Sequence, residues 1–253
     1  MNLTITNHFH DGSASHTGDA VLSRPVIIKI RDTFKDIRIT LRLASTLHYL
    51  FTDLGLPLVA LNSPLVGPTY NAWFGWFPDI LNIHNMTYNT QVFSFNRQME
   101  QQRLPFRLTT EIQHPMLKFP DVNFPPVAPR SVLVENGACN SHQNYADMNS
   151  IIPKLLNDFR DLTFYTSSLP PVVAANLCNC GHLDLISLSH LGDRCLALLT
   201  RGSGVNAVCY TEINRNKPRA ILGWNYRWKL WDDAFVRCKS YEEVYIFLKG
   251  ATR

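Results

Sequence analysis

The sequence predicts an α/β protein made of two Rossmann-like lobes, each with a parallel sheet, that face a cleft. Short apolar strands alternate with helical stretches early in the chain, and the same alternation restarts after the proline-rich residues 120–129. Such alternation is typical of parallel sheets joined by crossover helices. We therefore expect a first lobe at residues 1–125 and a second at 126–253, with packing of the last helix back onto the first lobe left open.

The first half carries these strand and helix patterns in turn. The predicted elements are strands at residues 3–6, 37–43, 57–61 and 81–83 and helices from after residue 19 to 34, at 44–54 and at 90–104. Apolar residues recur every four positions from Leu22 to Phe34, which is typical of one buried helix face. Residues 37–43 alternate between apolar and polar side chains, as a half-buried strand does. Gly55 directly follows residues 44–54, where a glycine predicts the C-terminal end of a helix.

The second half repeats the alternation. Its predicted elements are strands at residues 131–135, 162–166, 195–200 and 220–223 and helices at 151–159, 183–191, from about 205, and 241–248. Ser150 precedes a predicted helix and is a residue type that caps helix N-termini. Ser240 and Glu243 have the spacing of a capping box, which predicts the start of the last helix.

Composition and charge narrow the classes of function. The chain is 45% hydrophobic and 17% charged, as in a globular protein, and its formal net charge is only +4. This mild charge suits a small anionic ligand but not a nucleic acid, and no apolar run is long enough to span a bilayer. The N-terminus does not resemble a secretory signal, and the six cysteines have no disulfide spacing. We therefore expect a cytoplasmic protein.

The residues Arg201-Gly202-Ser203-Gly204 form the clearest candidate ligand-binding loop. They join a predicted apolar strand to a predicted helix, and ligands of open parallel sheets bind at the carboxyl ends of the strands. Glycines there allow backbone N–H groups to approach an anion, while arginine and serine side chains can donate hydrogen bonds to phosphate. The alternative is a glycine-rich turn that binds nothing. The other loops at this edge are residues 7–19, 135–147 and 166–180.

Gly18-Asp19 is the candidate for acid–base chemistry. A carboxylate at the start of a helix is stabilised as the anion and can accept the proton of a substrate hydroxyl. The alternative is an ordinary helix-capping aspartate. Trp73 and Trp76 belong to an aromatic group that could either stack against a sugar or pack in the core.

Several histidines and cysteines raise the question of a metal. His8, His10 and His16 share a loop with Asp11, but their spacing matches no standard set of ligands. Cys178 and Cys180 precede His182 without a second pair at zinc-finger spacing. We therefore expect no metal and no other cofactor.

Four segments together resemble the lipopolysaccharide heptosyltransferases and their relatives in glycosyltransferase family 9. Gly18-Asp19 is followed six residues after the aspartate by Pro25, and Gly137-Ala138 follows the first strand of the second half. Gly202-Ser203-Gly204 is similar to that family's nucleotide-sugar loop. Residues 216–218 stand where relatives have a proline-containing turn. This chain differs from the residues usual in that family at positions 202, 206 and 207. The resemblance therefore does not imply heptose or ADP as parts of this chain's donor.

The resemblance implies a GT-B fold and transfer of a sugar from a nucleotide-sugar donor to a glycan or other hydroxyl acceptor. Transfer would invert the anomeric carbon without a metal, with Asp19 as catalytic base. The predicted donor-binding residues are Glu135, Asn136, Gly137, His142, Thr166, Ser167, Arg201, Gly202, Ser203, Gly204 and Asn206. The predicted acceptor-binding residues are His10, His16, Gly18, Trp73 and Trp76.

Other functions stay open from the sequence. A sugar-nucleotide epimerase would use the same fold without an acceptor, and an inactive nucleotide- or sugar-binding scaffold would keep the fold without the reaction. An ordinary Rossmann oxidoreductase ranks lower, because no G-x-G-x-x-G follows the first predicted strand.

Overall fold

The computed structural model describes residues 1–9, 11–73, 85–86, 88–111, 115–137, 147–223, 229–230 and 235–252. The chain divides into two compact units. The first comprises Met1–Leu117 with Arg227–Asp233, and the second comprises Lys118–Tyr226 with Ala234–Arg253. Each unit contains a parallel β-sheet, which confirms the predicted α/β class.

The first unit is built on a four-stranded parallel sheet. Its strands are β1 (Asn2–Thr6), β2 (Arg38–Leu43), β3 (Leu58–Ala60) and β4 (Thr69–Asn71), and its helices are α1 (Thr17–Leu22), α2 (Arg24–Thr33) and α3 (Tyr88–Gln101). The strand order is β3-β2-β1-β4, so the chain reverses direction across the sheet between β1 and β4. A separate parallel pair joins β5 (Asn85–Met86) to β11 (Lys229–Leu230).

The single helix predicted after Gly18-Asp19 is in fact two helices. Ser23 separates α1 from α2, and its hydroxyl donates to the Ala20 carbonyl at 2.6 Å. Pro25 has no N–H and clashes with a preceding helical turn, so it is accommodated in the first turn of a new helix. The buried apolar stripe through Val26 and Ile30 is confirmed.

Residues 44–54 form 3₁₀ segments at Ser45–Leu50 and Thr52–Leu54 rather than the predicted α-helix. Gly55 ends them in the left-handed conformation, as its position predicted. The buried Arg24 holds this segment, since its guanidinium donates to the Leu50 carbonyl and to both Asp53 carboxylate oxygens at 3.0 and 2.8 Å. The segment therefore depends on a tertiary ion pair that no local pattern reveals.

The free edge of β4 is covered by glutamine side chains. Gln98 accepts from the Asn71 N–H and donates to the Asn71 carbonyl, both at 2.8 Å. Gln102 makes the equivalent pair with Thr69 at 3.0 and 2.7 Å. The two amides thus replace a neighbouring strand, which satisfies an edge that would otherwise be open to pairing.

The second unit is built on a six-stranded parallel sheet. Its strands are β6 (Ser131–Val134), β7 (Thr163–Thr166), β8 (Leu177–Asn179), β9 (Ala197–Thr200), β10 (Arg219–Leu222) and β12 (Val236–Cys238). Its helices are α4 (Met148–Asp158), α5 (Leu185–Arg194), α6 (Gly204–Val208) and α7 (Tyr241–Ala251). The order β12-β10-β9-β6-β7-β8 is that of a Rossmann fold, and it reverses between β6 and β9.

Helix caps in the second unit agree with the sequence at one of two predicted positions. The N-cap of α4 is Asp147, whose carboxylate accepts from the Asn149 N–H at 3.0 Å, so the prediction of Ser150 was wrong. The helix begins earlier because Met148 belongs to its buried face. Ser240 caps α7 as predicted, by accepting from the Glu243 N–H.

Helix α7 packs on the sheet of its own unit. Its buried residues Val244, Phe247 and Leu248 join a core cluster that also contains residues of β6, β9 and α4. Within the described part of the chain, no helix combines the length and apolar character needed to cross a membrane.

Candidate functional site

The reversal point of the second sheet brings together residues predicted to bind the donor. Glu135 follows β6 and Arg201 follows β9, and these strands are neighbours. The Glu135 carboxyl oxygen Oε2 accepts from the Arg201 backbone N–H at 2.7 Å. The Arg201 guanidinium in turn donates to the Gly137 carbonyl at 3.0 Å. Since ligands of open α/β sheets bind at such a point, these residues lie where a nucleotide would be expected.

The Glu135 carboxyl is almost fully withdrawn from solvent, with 2% of the residue exposed. Burial raises its pKa to about 8, because a buried carboxylate loses its hydration. The hydrogen bond from the Arg201 N–H and the Arg201 charge oppose this rise. Glu135 is therefore mainly a neutral acid at pH 7.

The glycine turn after Arg201 is ordered by its own hydrogen bonds. The Ser203 N–H donates to the Arg201 carbonyl at 2.8 Å, and the Ser203 hydroxyl oxygen accepts from the Val205 N–H at 3.2 Å. This leaves the Ser203 hydroxyl proton able to donate elsewhere. Helix α6 has only five residues, so the turn's N–H groups and Arg201 matter more to an anion than a helix dipole does.

Asn136 links three elements at this edge. Its side chain accepts from the Ser168 N–H at 2.8 Å and donates to Asn149 at 3.0 Å, while its backbone N–H donates to the Ser167 hydroxyl at 3.2 Å. Gly137 leaves room for Ser168, because a Cβ there would lie 2.9 Å from the Ser168 hydroxyl. Asn136 and Ser167 therefore shape the edge through contacts within the protein.

Two other predicted donor residues also make internal contacts. The buried Thr166 hydroxyl donates to the Cys178 carbonyl on β8 at 3.4 Å. The Asn206 side-chain oxygen accepts from the Thr200 hydroxyl at 2.9 Å. His142 lies outside the described residues, as does Ala138 of the family-like Gly-Ala pair.

In the first unit, Asp19 lies in the first turn of α1. This helix follows β1, and the order of the sheet reverses between β1 and β4. Its side chain is partly buried and accepts a hydrogen bond from the Trp73 side chain. Burial raises the pKa of Asp19 to about 7, against the lowering effect of that hydrogen bond. A carboxyl with this pKa gains and loses a proton near neutral pH, as a general base must.

Aromatic rings lie beside Asp19. Phe9 packs edge-to-face on Trp73, with ring centroids 5.1 Å apart, and on His16 at 5.2 Å. Gly18 precedes Asp19 in the same helical turn. The predicted acceptor residues His16, Gly18 and Trp73 are thus near one another, while His10 and Trp76 lie outside the described residues.

Sequence reasoning missed Asn71, which joins the ends of β1 and β4. Its side-chain oxygen accepts from the backbone N–H groups of His8 and Trp73 at 3.3 and 3.2 Å, and its amide donates to the His8 carbonyl at 3.0 Å. The only signal in the sequence is the Thr69 and Tyr70 side chains after the Gly67-Pro68 turn, which favour a strand over too few residues to show an alternation.

In the loop that carries His8 and His16, Asp11 has a structural role. The Asp11 carboxylate accepts from the Ser13 N–H at 2.9 Å and the Ser13 hydroxyl at 2.6 Å, which lowers its pKa. Gly12 has a φ of 81°, so it takes the left-handed position of a tight turn. In the described ranges, no group of three or more His, Cys, Asp or Glu residues is placed to hold a metal ion.

No family model matches the sequence, and no curated protein matches it. Among solved structures, E. coli heptosyltransferase WaaC with ADP has a TM-score of 0.57 at 9% identity, covering 99% of this chain and 97% of WaaC. WaaC with ADP-2-deoxy-2-fluoro heptose has a TM-score of 0.55 at 8% identity, covering 99% of both chains.

A third structure is the bacterial iron-containing dodecameric glycosyltransferase TibC from enterotoxigenic E. coli. Its TM-score is 0.53 at 10% identity, covering 93% of this chain and 63% of TibC. These likenesses show that the chain has the fold of GT-B glycosyltransferases. The resemblance to heptosyltransferases inferred from short motifs is thereby confirmed at the level of the fold.

Proposed function

We propose that this protein is a glycosyltransferase that moves a sugar from a nucleotide-sugar donor to a hydroxyl acceptor. The observation that carries the proposal is the Arg201–Gly204 turn at the reversal point of a Rossmann-type sheet. Support comes from a fold shared along nearly the whole chain with heptosyltransferase WaaC.

In this proposal the second unit binds the nucleotide diphosphate. Backbone N–H groups of Gly202 and Gly204, the Ser203 hydroxyl and the Arg201 guanidinium donate to the phosphate oxygens. His142 and the ends of β6 and β7 complete the donor site. Arg201 also stabilises the negative charge that develops on the leaving diphosphate, a task that a metal ion performs in other enzymes.

Asp19 is the proposed catalytic base. The acceptor oxygen bonds to the anomeric carbon while the bond from that carbon to the distal phosphate oxygen breaks. The hydroxyl proton passes to the Asp19 carboxylate, and the diphosphate leaves with the electron pair. Direct attack from the face opposite the leaving group inverts the anomeric carbon. The proposed acceptor contacts are His10, His16, Gly18, Trp73 and Trp76.

Consumption of the donor tests this function. Nucleotide sugars are supplied with mixed glycan and simple alcohol acceptors, and release of nucleoside diphosphate is measured. Asp19→Asn is expected to lower the rate at least about a hundredfold, because general-base catalysis contributes that much, while donor affinity stays unchanged. Asp11→Asn, a loss of the same charge from an exposed residue of the neighbouring loop, is the matched control and is expected to retain the rate.

The outcomes separate the alternatives. Equal rates for the Asp19→Asn variant and the wild type would contradict the assignment of the base. A sugar-nucleotide epimerase would change the donor without releasing diphosphate. An inactive scaffold would bind donor and leave it intact over the whole acceptor panel.

A further inference from the structure

Glu135 is a predicted donor-site residue, and its carboxyl is buried against the glycine turn. It accepts the Arg201 backbone N–H at 2.7 Å, at the first residue of the glycine turn. With 2% of the residue exposed, little of Glu135 is left to meet a ligand. The contact instead fixes where the turn leaves β9.

Three hydrogen bonds tie the end of β6 to the end of β9. The Glu135 N–H donates to the Leu199 carbonyl at 2.9 Å, the Glu135 carboxyl accepts from the Arg201 N–H, and Arg201 donates to the Gly137 carbonyl at 3.0 Å. Of these three bonds, the middle one alone joins a side chain at the end of β6 to the backbone of the turn. It is therefore the contact that a single substitution can remove without changing the turn's own sequence.

We propose that Glu135 is a positioning residue of the donor site, which holds the Arg201–Gly204 turn in the shape that binds the donor's diphosphate. This inference rests on the proposed function. The role differs from that of a ligand contact, because Glu135 acts through the Arg201 backbone.

The protonation state of Glu135 makes the role testable. Its pKa of about 8 leaves the carboxyl mainly neutral at pH 7. The carboxyl therefore accepts the Arg201 N–H without placing a negative charge near the donor's diphosphate. Among the described residues, the charged or titratable groups that face it are the Arg201 guanidinium, in the turn, and the Cys209 thiol, just after α6. Ionisation of Glu135 above pH 8 would oppose binding of a diphosphate.

Binding of nucleoside diphosphates provides the experiment. ADP, UDP, GDP, CDP and dTDP are titrated calorimetrically into the wild type and into the Glu135→Gln and Glu135→Ala variants at pH 7 and pH 9. The amide of Glu135→Gln keeps an acceptor oxygen but cannot ionise. Circular dichroism and melting temperature verify that each variant is folded.

The expected result has two parts. At pH 7, Glu135→Gln binds within about threefold of the wild type, whereas Glu135→Ala binds about tenfold more weakly, as for loss of one buried hydrogen bond. From pH 7 to pH 9, wild-type affinity falls about tenfold relative to Glu135→Gln, because a group with a pKa of about 8 is then mostly ionised. The ratio to Glu135→Gln cancels titration of the nucleotide itself.

Contrary results are distinct. If the wild type binds a nucleotide and all three proteins match at both pH values, the positioning role is wrong and the proposed function stands. If Glu135→Gln weakens binding at pH 7 as much as Glu135→Ala, an ionised carboxylate is needed and the inference fails. If the folded wild type binds none of the five nucleotides, the proposed function and this inference fail together. The comparison with Glu135→Gln remains decisive if Glu135→Ala does not fold.

Discussion

Asp19 combines partial burial with a hydrogen bond from a tryptophan, and the balance sets the pH at which it can act. Burial raises its pKa to about 7, and only the ionised form accepts a proton. The kcat/KM of the wild type is therefore expected to increase about tenfold per pH unit below pH 7 and to level off between pH 7 and pH 8. Above pH 8 it is expected to fall, because ionisation of Glu135 then weakens donor binding. A pH profile of kcat/KM at subsaturating donor measures this, and a flat profile from pH 5 to 8 would rule Asp19 out as the base.

The same residue is expected to reduce stability at neutral pH. A carboxyl whose folded-state pKa is raised stabilises the fold below its unfolded pKa, near 4, and loses that contribution as the pH rises to about 7. Asp19→Asn is therefore expected to raise the melting temperature at pH 8 but not at pH 4. Thermal unfolding of the wild type and the variant at both pH values measures the difference.

Asp11→Asn is the control for this stability test, because the pKa of Asp11 is shifted in the opposite direction to that of Asp19. Hydrogen bonds from Ser13 lower the pKa of the exposed Asp11, so its stabilising contribution is present above its unfolded pKa and is lost as the pH falls. Asp11→Asn should leave the melting temperature unchanged or slightly lower at pH 8. A rise equal to that of Asp19→Asn would point to a general charge effect rather than to burial of Asp19.

At single positions, the sequence indicated which residues suit a ligand site better than it indicated what each side chain contacts. Arg201 and Ser203 were singled out because arginine and serine in a glycine turn suit an anion, and both lie at the reversal point of the sheet. The inward direction of Glu135 could not be predicted, because it depends on β9 lying beside β6. Asn71 was missed since its role depends on pairing of β4 with β1.

Helix α3 and strand β4 give a prediction at the scale of elements. Gln98→Ala would leave the buried Asn71 N–H and carbonyl without their partners, at a cost of about 2 kcal/mol or more. Gln102→Ala removes the equivalent pair at the more exposed Thr69, where water can replace it, and should cost less than about 0.5 kcal/mol. Urea unfolding of both variants measures the free energies of unfolding, and equal losses would contradict this account of the edge.

Elements with a clear local pattern were predicted well, whereas several short strands without one were missed. The strand pattern at residues 37–43 and the capping box at Ser240 both match the structure. Strands β4, β8 and β12 have three residues each, too few to show an alternation, and were missed. The strand predicted at residues 81–83 lies outside the described residues.

The two units share a topological theme that the sequence indicated as a repeated alternation. Numbered within each unit, the first four strands of both sheets have the order 3-2-1-4, and the second sheet continues to 5-6. The pattern of apolar and polar residues determines such a fold, so 8–9% identity is compatible with a likeness to WaaC along the whole chain. The boundary at residues 125 and 126 stays a prediction.

The central claim is that the turn after β9 binds the diphosphate of a nucleotide sugar. The most direct test measures the melting temperature of the wild type with a panel of nucleoside diphosphates and nucleotide sugars, because a ligand specific for the folded state stabilises it by about 2.7 kcal/mol at a hundredfold excess over Kd. We expect a shift with one nucleotide class that Arg201→Ala abolishes and Arg160→Ala, an exposed arginine of the same unit, retains. No shift with any nucleotide, or a shift that Arg201→Ala leaves intact, would contradict the claim.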